Sequence, residues 1–263
     1  MKLRVAGAEL ACEVNGTGPA LLLLHAFPLG LAMWEPQAAA LAESHQVVRF
    51  DCRGFGGSPP GDGLLTMERI ADDASGILDR LGLPSATVVG VSMGGYAAFA
   101  LVRRHPERIR ALVLADTRAG ADSAETKATR AAQAEKVRRE GARAIADAAL
   151  PKLLGATSHR ERPELVARVR QIIEANPPRG ITDALAGLAA RADSTPTRRE
   201  IRVPTLVVVG EEDTITPITE AEALHHGITG SRMAVIPRAG HLSSLENPDE
   251  FNRQLRSFLA TPG

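Results

Sequence analysis

The stretch Val88-Val89-Gly90-Val91-Ser92-Met93-Gly94-Gly95-Tyr96 decides how this chain is organised. Residues 86–91 form an apolar run rich in β-branched side chains, which predicts a buried strand, and residues 93–104 predict a helix. The pattern Gly90-x-Ser92-x-Gly94 between them is typical of a nucleophile elbow, a sharp turn that presents a serine at the end of a strand. Glycine suits the flanking positions because a Cβ there would crowd the turn. Ser92 is therefore a candidate nucleophile.

The same pattern also arises by chance, when a serine caps an ordinary helix that follows an ordinary strand. A hydroxyl is a weak nucleophile, so the catalytic interpretation requires a base within hydrogen-bond reach and a carboxylate that orients this base. It also requires N–H donors for the oxyanion that forms when a carbonyl is attacked. The rest of the chain must decide between the two interpretations.

The composition is that of one globular α/β domain with room for an insertion. The chain has 263 residues, of which 44% are hydrophobic and 24% are charged, which is enough to bury a sizeable core. Its 31 basic residues balance its 31 acidic residues, so the formal net charge is zero. A neutral chain gives no electrostatic reason to expect binding to nucleic acid or to a membrane surface.

Further sequence features favour a cytoplasmic protein without cofactors. Cys12 and Cys52 are too few for a disulfide framework and are expected to be reduced core residues. We find no signal peptide pattern, and no apolar run approaches the ~18 residues of a membrane span. No cluster of candidate ligands has metal-site spacing, so we expect neither a metal nor another cofactor. The sequence does not indicate the oligomeric state.

Strand-like and helix-like segments alternate along most of the chain. Such alternation predicts an α/β fold with a mostly parallel sheet, here of about eight strands, and helices on both faces. The predicted strands are a hairpin over residues 2–15 and single strands over residues 20–25, 46–51, 86–91, 111–115, 205–209 and 232–236.

One segment, residues 118–199, departs from this alternation. It is rich in Ala, Arg and Glu, has helical periodicity, and predicts about four short helices. Because it follows the strand after the elbow, it can fold over the carboxyl edge of the sheet, where ligands bind. We therefore expect a core domain formed by residues 1–117 and 200–263 and a helical cap formed by residues 118–199.

His241 is the candidate base. It follows the last predicted strand, so it falls at the carboxyl edge of the sheet on the same side as Ser92. Asp213 is the candidate carboxylate that orients this base. It lies in the loop 210–217, which follows the predicted strand 205–209 and therefore falls at the same edge of the sheet. Asp116 directly follows the strand 111–115 and competes for the same role.

Two backbone N–H groups are candidates for an oxyanion hole. Met93 follows the nucleophile and offers its N–H at the start of the helix. The second donor is expected in the loop His25-Ala26-Phe27-Pro28, after the strand 20–25. Pro28 has no N–H and stiffens this turn, which leaves the N–H of Phe27 as the candidate.

These motifs together resemble the α/β-hydrolase superfamily along nearly the whole chain. The loop 25–28 resembles the family's His-Gly-x-Pro oxyanion motif, with Ala26 in place of the usual glycine. The chain order Ser92, Asp213, His241 is that of the family's triad. The resemblance extends to Asp51-Cys52-Arg53-Gly54-Phe55-Gly56-Gly57-Ser58, Gly240-His241 and Glu246-Asn247-Pro248. It implies an α/β-hydrolase fold and nucleophilic catalysis by Ser92.

Within the superfamily, Met33-Trp34-Glu35-Pro36-Gln37 and the helical insertion are similar to 3-oxoadipate enol-lactonases and related small-ester hydrolases. This similarity implies that small carboxylic esters or lactones are cleaved through an acyl-enzyme. Residues 118–199 include no aromatic side chain, so we expect an aliphatic pocket for a short acyl group or a lactone. The arginines of this segment could also attract a substrate that carries a carboxylate. The candidate pocket residues are Trp34, Leu150, Leu153 and Leu154.

Other functions remain open for the same residues. One is perhydrolase or cofactor-free haloperoxidase-like activity, or hydrolysis of a carbon–carbon bond, with the same triad. Another is a ligand sensor that keeps the fold but has little or no turnover. Serine at position 92 argues against haloalkane dehalogenases and epoxide hydrolases, since those relatives use aspartate there.

Overall fold

The computed structural model describes residues 1–260. Its strands are β1 (Lys2–Val5), β2 (Ala8–Asn15), β3 (Ala20–Leu24), β4 (Gln46–Phe50), β5 (Ala86–Val91), β6 (Ile109–Ala115), β7 (Thr205–Gly210) and β8 (Arg232–Ile236). They form one sheet in the order β1-β2-β4-β3-β5-β6-β7-β8. β1 and β2 pair antiparallel, as do β2 and β4, and all other pairs are parallel. The prediction of a mostly parallel sheet of about eight strands is confirmed.

The middle of the sheet lies in the hydrophobic core. Every residue of β3, β5 and β7 is buried. A parallel strand covered on both faces has no solvent-facing side, which explains why the leucines of β3 form a continuous run without alternation. Leu24 pairs with Gly90, and Gly90 pairs with Leu114, so the carboxyl ends of β3, β5 and β6 lie level. The loops that follow these strands therefore meet at one edge.

The described residues contain eleven α-helices. These are α1 (Glu35–Leu41), α2 (Met67–Arg80), α3 (Met93–Arg104), α4 (Ala124–Glu140), α5 (Arg143–Leu153), α6 (Ala156–Glu161), α7 (Pro163–Glu174), α8 (Pro178–Ala190), α9 (Ile218–Gly227), α10 (Ser243–Glu246) and α11 (Pro248–Leu259). A 3-10 turn over Leu31–Trp34 precedes α1, so Pro36 falls in the first turn of the α-helix, where a proline is tolerated.

Helices α4 to α8 all lie between β6 and β7, within residues 118–199, which we call the helical insertion. There are five α-helices here, one more than the sequence predicted, because the six-residue helix α6 is separated from α7 by Arg162. Pro151 lies inside α5, which ends two residues later at Leu153. Helix α4 packs on α8, and α5 packs on α7.

Three further findings bear on the functions that the sequence allows. None of the helices within residues 1–260 is long and apolar enough to cross a bilayer. Among the same residues, no group of three or more His, Cys, Asp or Glu side chains is arranged to hold a metal ion. Cys12 and Cys52 are both buried and unpaired, as expected.

Candidate active site

Ser92 occupies the turn between β5 and α3, at the carboxyl edge of the sheet. Its backbone dihedral angles, φ = 54° and ψ = −111°, are ones that residues other than glycine rarely adopt. A Cβ added to Gly90 would lie 2.3 Å from the carbonyl oxygen of Gly94, and one added to Gly94 would lie 2.1 Å from that of Leu24. The close approach of β5, α3 and β3 therefore requires both glycines of the elbow pattern.

The structure brings Ser92, His241 and Asp213 into one hydrogen-bonded chain. Oγ of Ser92 lies 2.7 Å from Nε2 of His241, and Nδ1 of His241 lies 2.8 Å from Oδ2 of Asp213. His241 and Asp213 are buried, and Ser92 is 9% exposed at the floor of a cleft. The three residues are far apart in the sequence, so only the meeting of three loops at the sheet edge places them in contact.

The surroundings of Asp213 keep its carboxyl group ionised. Burial opposes this charge, but the hydrogen bond from His241 and those from Thr216 outweigh it, so the pKa of Asp213 is lowered. Thr216 donates its hydroxyl to Oδ2 over 2.7 Å, and Oδ1 accepts the N–H groups of Ile215 and Thr216. An ionised Asp213 accepts a hydrogen bond from the N–H at Nδ1 of His241, and in this tautomer Nε2 is free to accept the proton of Ser92.

Asp116, the competing candidate for the acid, has a different environment. It is fully buried, and it accepts the N–H of Gly210 together with the N–H and hydroxyl of Ser243. Burial and the neighbouring charge of Asp213 raise the pKa of Asp116 well above its usual range. Its carboxyl group makes no hydrogen bond to His241 within residues 1–260, and instead connects the loops that carry Asp213 and His241.

The two N–H groups expected to form an oxyanion hole both border the cleft over Ser92. Phe27 and Met93 lie among its lining residues, and within residues 1–260 neither N–H donates to another group of the protein. The side chain of His25 helps to hold the loop of Phe27. Its Nδ1 lies 3.0 Å from the carbonyl oxygen of Ala26, and its Nε2 accepts the N–H of Cys52 over 3.0 Å.

Comparison with known proteins identifies the family. Residues 19–248 match the family model described as alpha/beta hydrolase fold. This chain belongs to the α/β-hydrolase family. The resemblance inferred from the sequence motifs is thereby confirmed.

Three relatives of this α/β hydrolase span almost its whole length. A thermophilic esterase from Thermogutta terrifontis shares 41% identity, with a TM-score of 0.96 and 98% of each chain covered. The enol-lactonase from Burkholderia xenovorans shares 32% identity, with a TM-score of 0.92, and the match covers 99% of this chain and 100% of that one. The 3-oxoadipate enol-lactonase 2 of Acinetobacter baylyi shares 29% identity over 92% of this chain and 88% of its own.

The cleft of the α/β hydrolase has a volume of about 300 Å³ and lies over Ser92 and His241. Its lining residues come from the loop of Phe27, from α3, from the loop after β7, and from α4, α5 and α8 of the helical insertion. Along α5 the lining residues recur at helical spacing. The lining side chains from the insertion are Thr126, Thr129, Arg130, Gln133, Ile145, Ala148, Ala149, Lys152, Leu153 and Leu188.

Three of the four predicted pocket residues do not line this cleft. Leu153 does, but Trp34, Leu150 and Leu154 are buried elsewhere. The ring of Trp34 packs beside that of Phe251, with centroids 6.5 Å apart, and belongs to the core between α1 and α11. Leu150 lies off the stripe of α5 that faces the cleft, and Leu154 has an extended backbone beyond the helix end. The sequence identified the correct helix but could not resolve which of its sides faces Ser92.

The charged side chains of the cleft are cationic. Its described lining residues include Arg130 and Lys152 but no Asp or Glu. Arg130 donates to Asp122, which also accepts from Arg118 and Arg191, so one carboxylate faces three guanidinium groups. Burial raises the pKa of Asp122, but the adjacent guanidinium groups, Arg130 foremost, outweigh burial and lower it. The cluster therefore retains excess positive charge beside the cleft.

Two side chains that support the site, Asn176 and Glu246, are not among the predicted site residues. Glu246 belongs to the motif Glu246-Asn247-Pro248, and Asn176 lies within the helical insertion. Asn176 donates from Nδ2 to the carbonyl oxygen of Pro28 over 2.9 Å. Glu246 binds the backbone on both sides of His241. No local pattern reveals the contact of Asn176, because it joins segments that are 148 residues apart in the chain.

Proposed function

We propose that this protein hydrolyses small carboxylic esters or lactones through an acyl-enzyme on Ser92. The observation that carries the proposal is the chain in which Ser92 Oγ lies 2.7 Å from His241 Nε2 while His241 Nδ1 lies 2.8 Å from Asp213. A serine with an imidazole at this distance, oriented by a buried carboxylate, has the arrangement needed for nucleophilic attack on a carbonyl carbon.

The geometry suggests each step. His241 accepts the proton of Ser92 at Nε2 while Oγ attacks the carbonyl carbon, and the N–H groups of Phe27 and Met93 bind the oxyanion. His241 then donates the proton to the leaving oxygen, which departs as an alcohol or, in a lactone, stays attached as a hydroxyl group of the acyl chain. Water, deprotonated by His241, then attacks the acyl carbon, the bond to Oγ of Ser92 breaks, and His241 returns the proton to Oγ as the acid is released.

The relatives support the carboxylic ester hydrolase class, because they include proteins named esterase and enol-lactonase that cover nearly the whole chain. The cleft supports small substrates, since about 300 Å³ is at the lower end of small-molecule sites. Arg130 and Lys152 in its wall favour substrates that carry a carboxylate in addition to the ester bond.

We also propose that residues 118–199 act as a cap that selects the acyl group. Helices α4 and α5 contribute both apolar and cationic side chains to the wall of the cleft. A wall of this kind excludes long acyl chains by its shape, whereas the triad and the N–H donors come from the core.

The test is covalent labelling of Ser92 by an organophosphate, followed by intact-protein mass spectrometry, with hydrolysis of a short-chain nitrophenyl ester and of an enol-lactone in parallel. Ser92→Ala should abolish labelling and lower hydrolysis by a factor on the order of 10⁶. Ser231→Ala is the matched control, because Ser231 lies 2.9 Å from Nδ1 of His225 in a serine–histidine pair outside the cleft.

Labelling of Ser92→Ala at the wild-type rate would contradict the proposal. Labelling of the wild-type protein without turnover of any ester or lactone would instead favour a ligand sensor. Turnover of a peroxide or of a carbon–carbon bond in preference to every ester would favour the alternative reactions of the same triad.

A further inference from the structure

The two carboxylate oxygen atoms of Glu246 accept hydrogen bonds from two different parts of the molecule. Oε1 accepts the N–H of Gly240 over 2.9 Å and that of Leu242 over 3.2 Å. Oε2 accepts the N–H of Gly155 over 2.7 Å and the hydroxyl of Ser158 over 2.7 Å. All four bonds are buried, and Glu246 is itself 5% exposed.

The two parts are the loop of the candidate base His241 and the helical insertion. Gly240 and Leu242 flank His241, so Oε1 fixes the peptide groups on both sides of the candidate base. Gly155 and Ser158 belong to the junction between α5 and α6, and α5 ends at Leu153 in the cleft wall. One carboxylate thus connects the acyl-selecting wall of the cleft with the histidine.

The backbones at this connection are also in direct contact. A Cβ added to Gly240 would lie 2.4 Å from the backbone nitrogen of Gly155. The donors of the histidine loop and those of the insertion each need an acceptor oxygen. An ionised carboxylate provides one oxygen atom with free lone pairs for each group of donors. An amide in its place presents one oxygen and one NH₂ group, so one set of N–H donors loses its acceptor.

We propose that Glu246 is a positioning residue. Through its hydrogen bonds, the position of the α5–α6 junction is coupled to the position of His241 beside Ser92. The proposal rests on the proposed function, since it assigns His241 the role of base. Its consequence is that a change on the insertion side of Glu246, with no contact to the triad, alters the hydrogen bonds of His241.

The test compares Glu246→Gln and Ser158→Ala with the control Glu250→Gln. Glu250 lies in the following helix, α11, and it is bonded to Arg253 and Gln254 instead of the insertion. The readouts are the rate constant for organophosphate labelling, kcat and KM for a short ester, and the downfield proton NMR resonance of the His241–Asp213 hydrogen bond. Thermal unfolding identifies the folded fraction.

We expect Glu246→Gln to lower the labelling rate constant and kcat by about 100-fold, the scale of a misplacement near 1 Å. Ser158→Ala should lower both by about 3- to 10-fold, which is the scale of losing one charge-assisted hydrogen bond. The effect is smaller because Oε2 of Glu246 still accepts the N–H of Gly155. Both variants should shift or broaden the downfield resonance, and Glu250→Gln should leave all readouts at wild-type values.

Adding Ser158→Ala to Glu246→Gln should have little further effect, because both changes act on one connection. Fully multiplicative effects would overturn the proposal. The proposal would also be overturned by a Ser158→Ala protein that is less stable but has an unchanged kcat and an unchanged downfield resonance. This second test remains available even if Glu246→Gln fails to fold. A wild-type protein that resists labelling would contradict the proposed function, whereas the resonance tests the coupling without any substrate.

Discussion

Asn176 of the helical insertion donates a 2.9 Å hydrogen bond to the carbonyl oxygen of Pro28, next to the candidate oxyanion donor Phe27. Its Oδ1 accepts the N–H of Gly56 over 2.8 Å, so one amide holds two core loops against the insertion. Glu246 in turn bonds both to the insertion and to the backbone beside His241. The insertion is therefore hydrogen-bonded to the loop of Phe27 through Asn176 and to the loop of His241 through Glu246.

Asn176→Ala should lower kcat for a short ester by about tenfold, because the loop that presents the N–H of Phe27 loses a support. Stability should fall by about 1–3 kcal/mol, since the N–H of Gly56 loses its acceptor. Steady-state kinetics and urea unfolding measure the two effects. Asn15→Ala, in strand β2 far from the cleft, is the control, and an unchanged kcat in Asn176→Ala would disprove the supporting role.

Asp213→Asn should leave a folded protein whose kcat is lower by roughly 10⁴, because the amide holds the imidazole in the wrong tautomer. Asp116→Asn should have a much smaller effect, since Asp116 binds Gly210 and Ser243 and not His241. Both rates are measured at saturating substrate with matched folded fractions. If Asp116→Asn were the more damaging change, the assignment of the acid would be incorrect.

The raised pKa of Asp116 predicts a pH-dependent stability. An unfolded aspartate releases its proton near ~3.9, whereas the folded state keeps it to a higher pH. The folded state therefore binds more protons in that window, and this contribution to the free energy of unfolding falls as pH rises through it. Asp116→Asn removes the contribution, so its stability relative to wild type should increase between pH 4 and pH 7, roughly.

Urea unfolding across this range provides the measurement. Asp213 has a lowered pKa and should behave in the opposite way, because its stabilising contribution is present above the unfolded pKa and is lost as pH falls through the folded pKa. A constant difference between Asp116→Asn and wild type at every pH would show that Asp116 titrates alike in both states.

Arg130→Gln should reduce kcat/KM about tenfold for an ester whose acyl chain ends in a carboxylate, and have little effect on a neutral ester of equal length. The reason is that Arg130 lines the cleft, and its charge is only partly neutralised by Asp122, which it shares with Arg118 and Arg191. Arg138 lies on the same helix but is exposed and pairs with Glu135, so Arg138→Gln is the control. Equal losses for both esters in Arg130→Gln would argue against charge recognition.

Leu153→Ala should shift the preference toward longer acyl chains while leaving hydrolysis of the shortest ester unchanged. Each methylene group of the acyl chain that the cleft accepts or excludes should change kcat/KM by about 10–200-fold. Leu154→Ala should reduce stability without changing this preference, because Leu154 is equally buried but lies outside the cleft. The measurement is kcat/KM over a series of acyl lengths. The same shift in both variants would indicate a general loosening of α5 and not a selective wall.

The sequence by itself determined the fold and the identity of the candidate catalytic residues. The elbow requires glycine at position 90 because a Cβ there would meet the carbonyl oxygen of Gly94 within the same turn, whereas glycine at position 94 is required by its approach to Leu24 of β3. Buried parallel strands require continuous apolar runs, as in β3, and the carboxyl ends of such strands meet at one edge. Residues that follow those strands, such as Asp213 and His241, could therefore be placed without coordinates.

The tertiary structure alone decided which residues line the cleft, which carboxyl group faces His241, and how the insertion is attached. Asn176 and Pro28 are 148 residues apart in the chain, and Glu246 and Gly155 are 91 residues apart. Trp34 and Leu150 are as apolar as Leu153, so hydrophobicity could not distinguish core from cleft. That distinction depends on the rotation of α5 and the packing of α1 on α11, which arise from contacts between segments that no local pattern encodes.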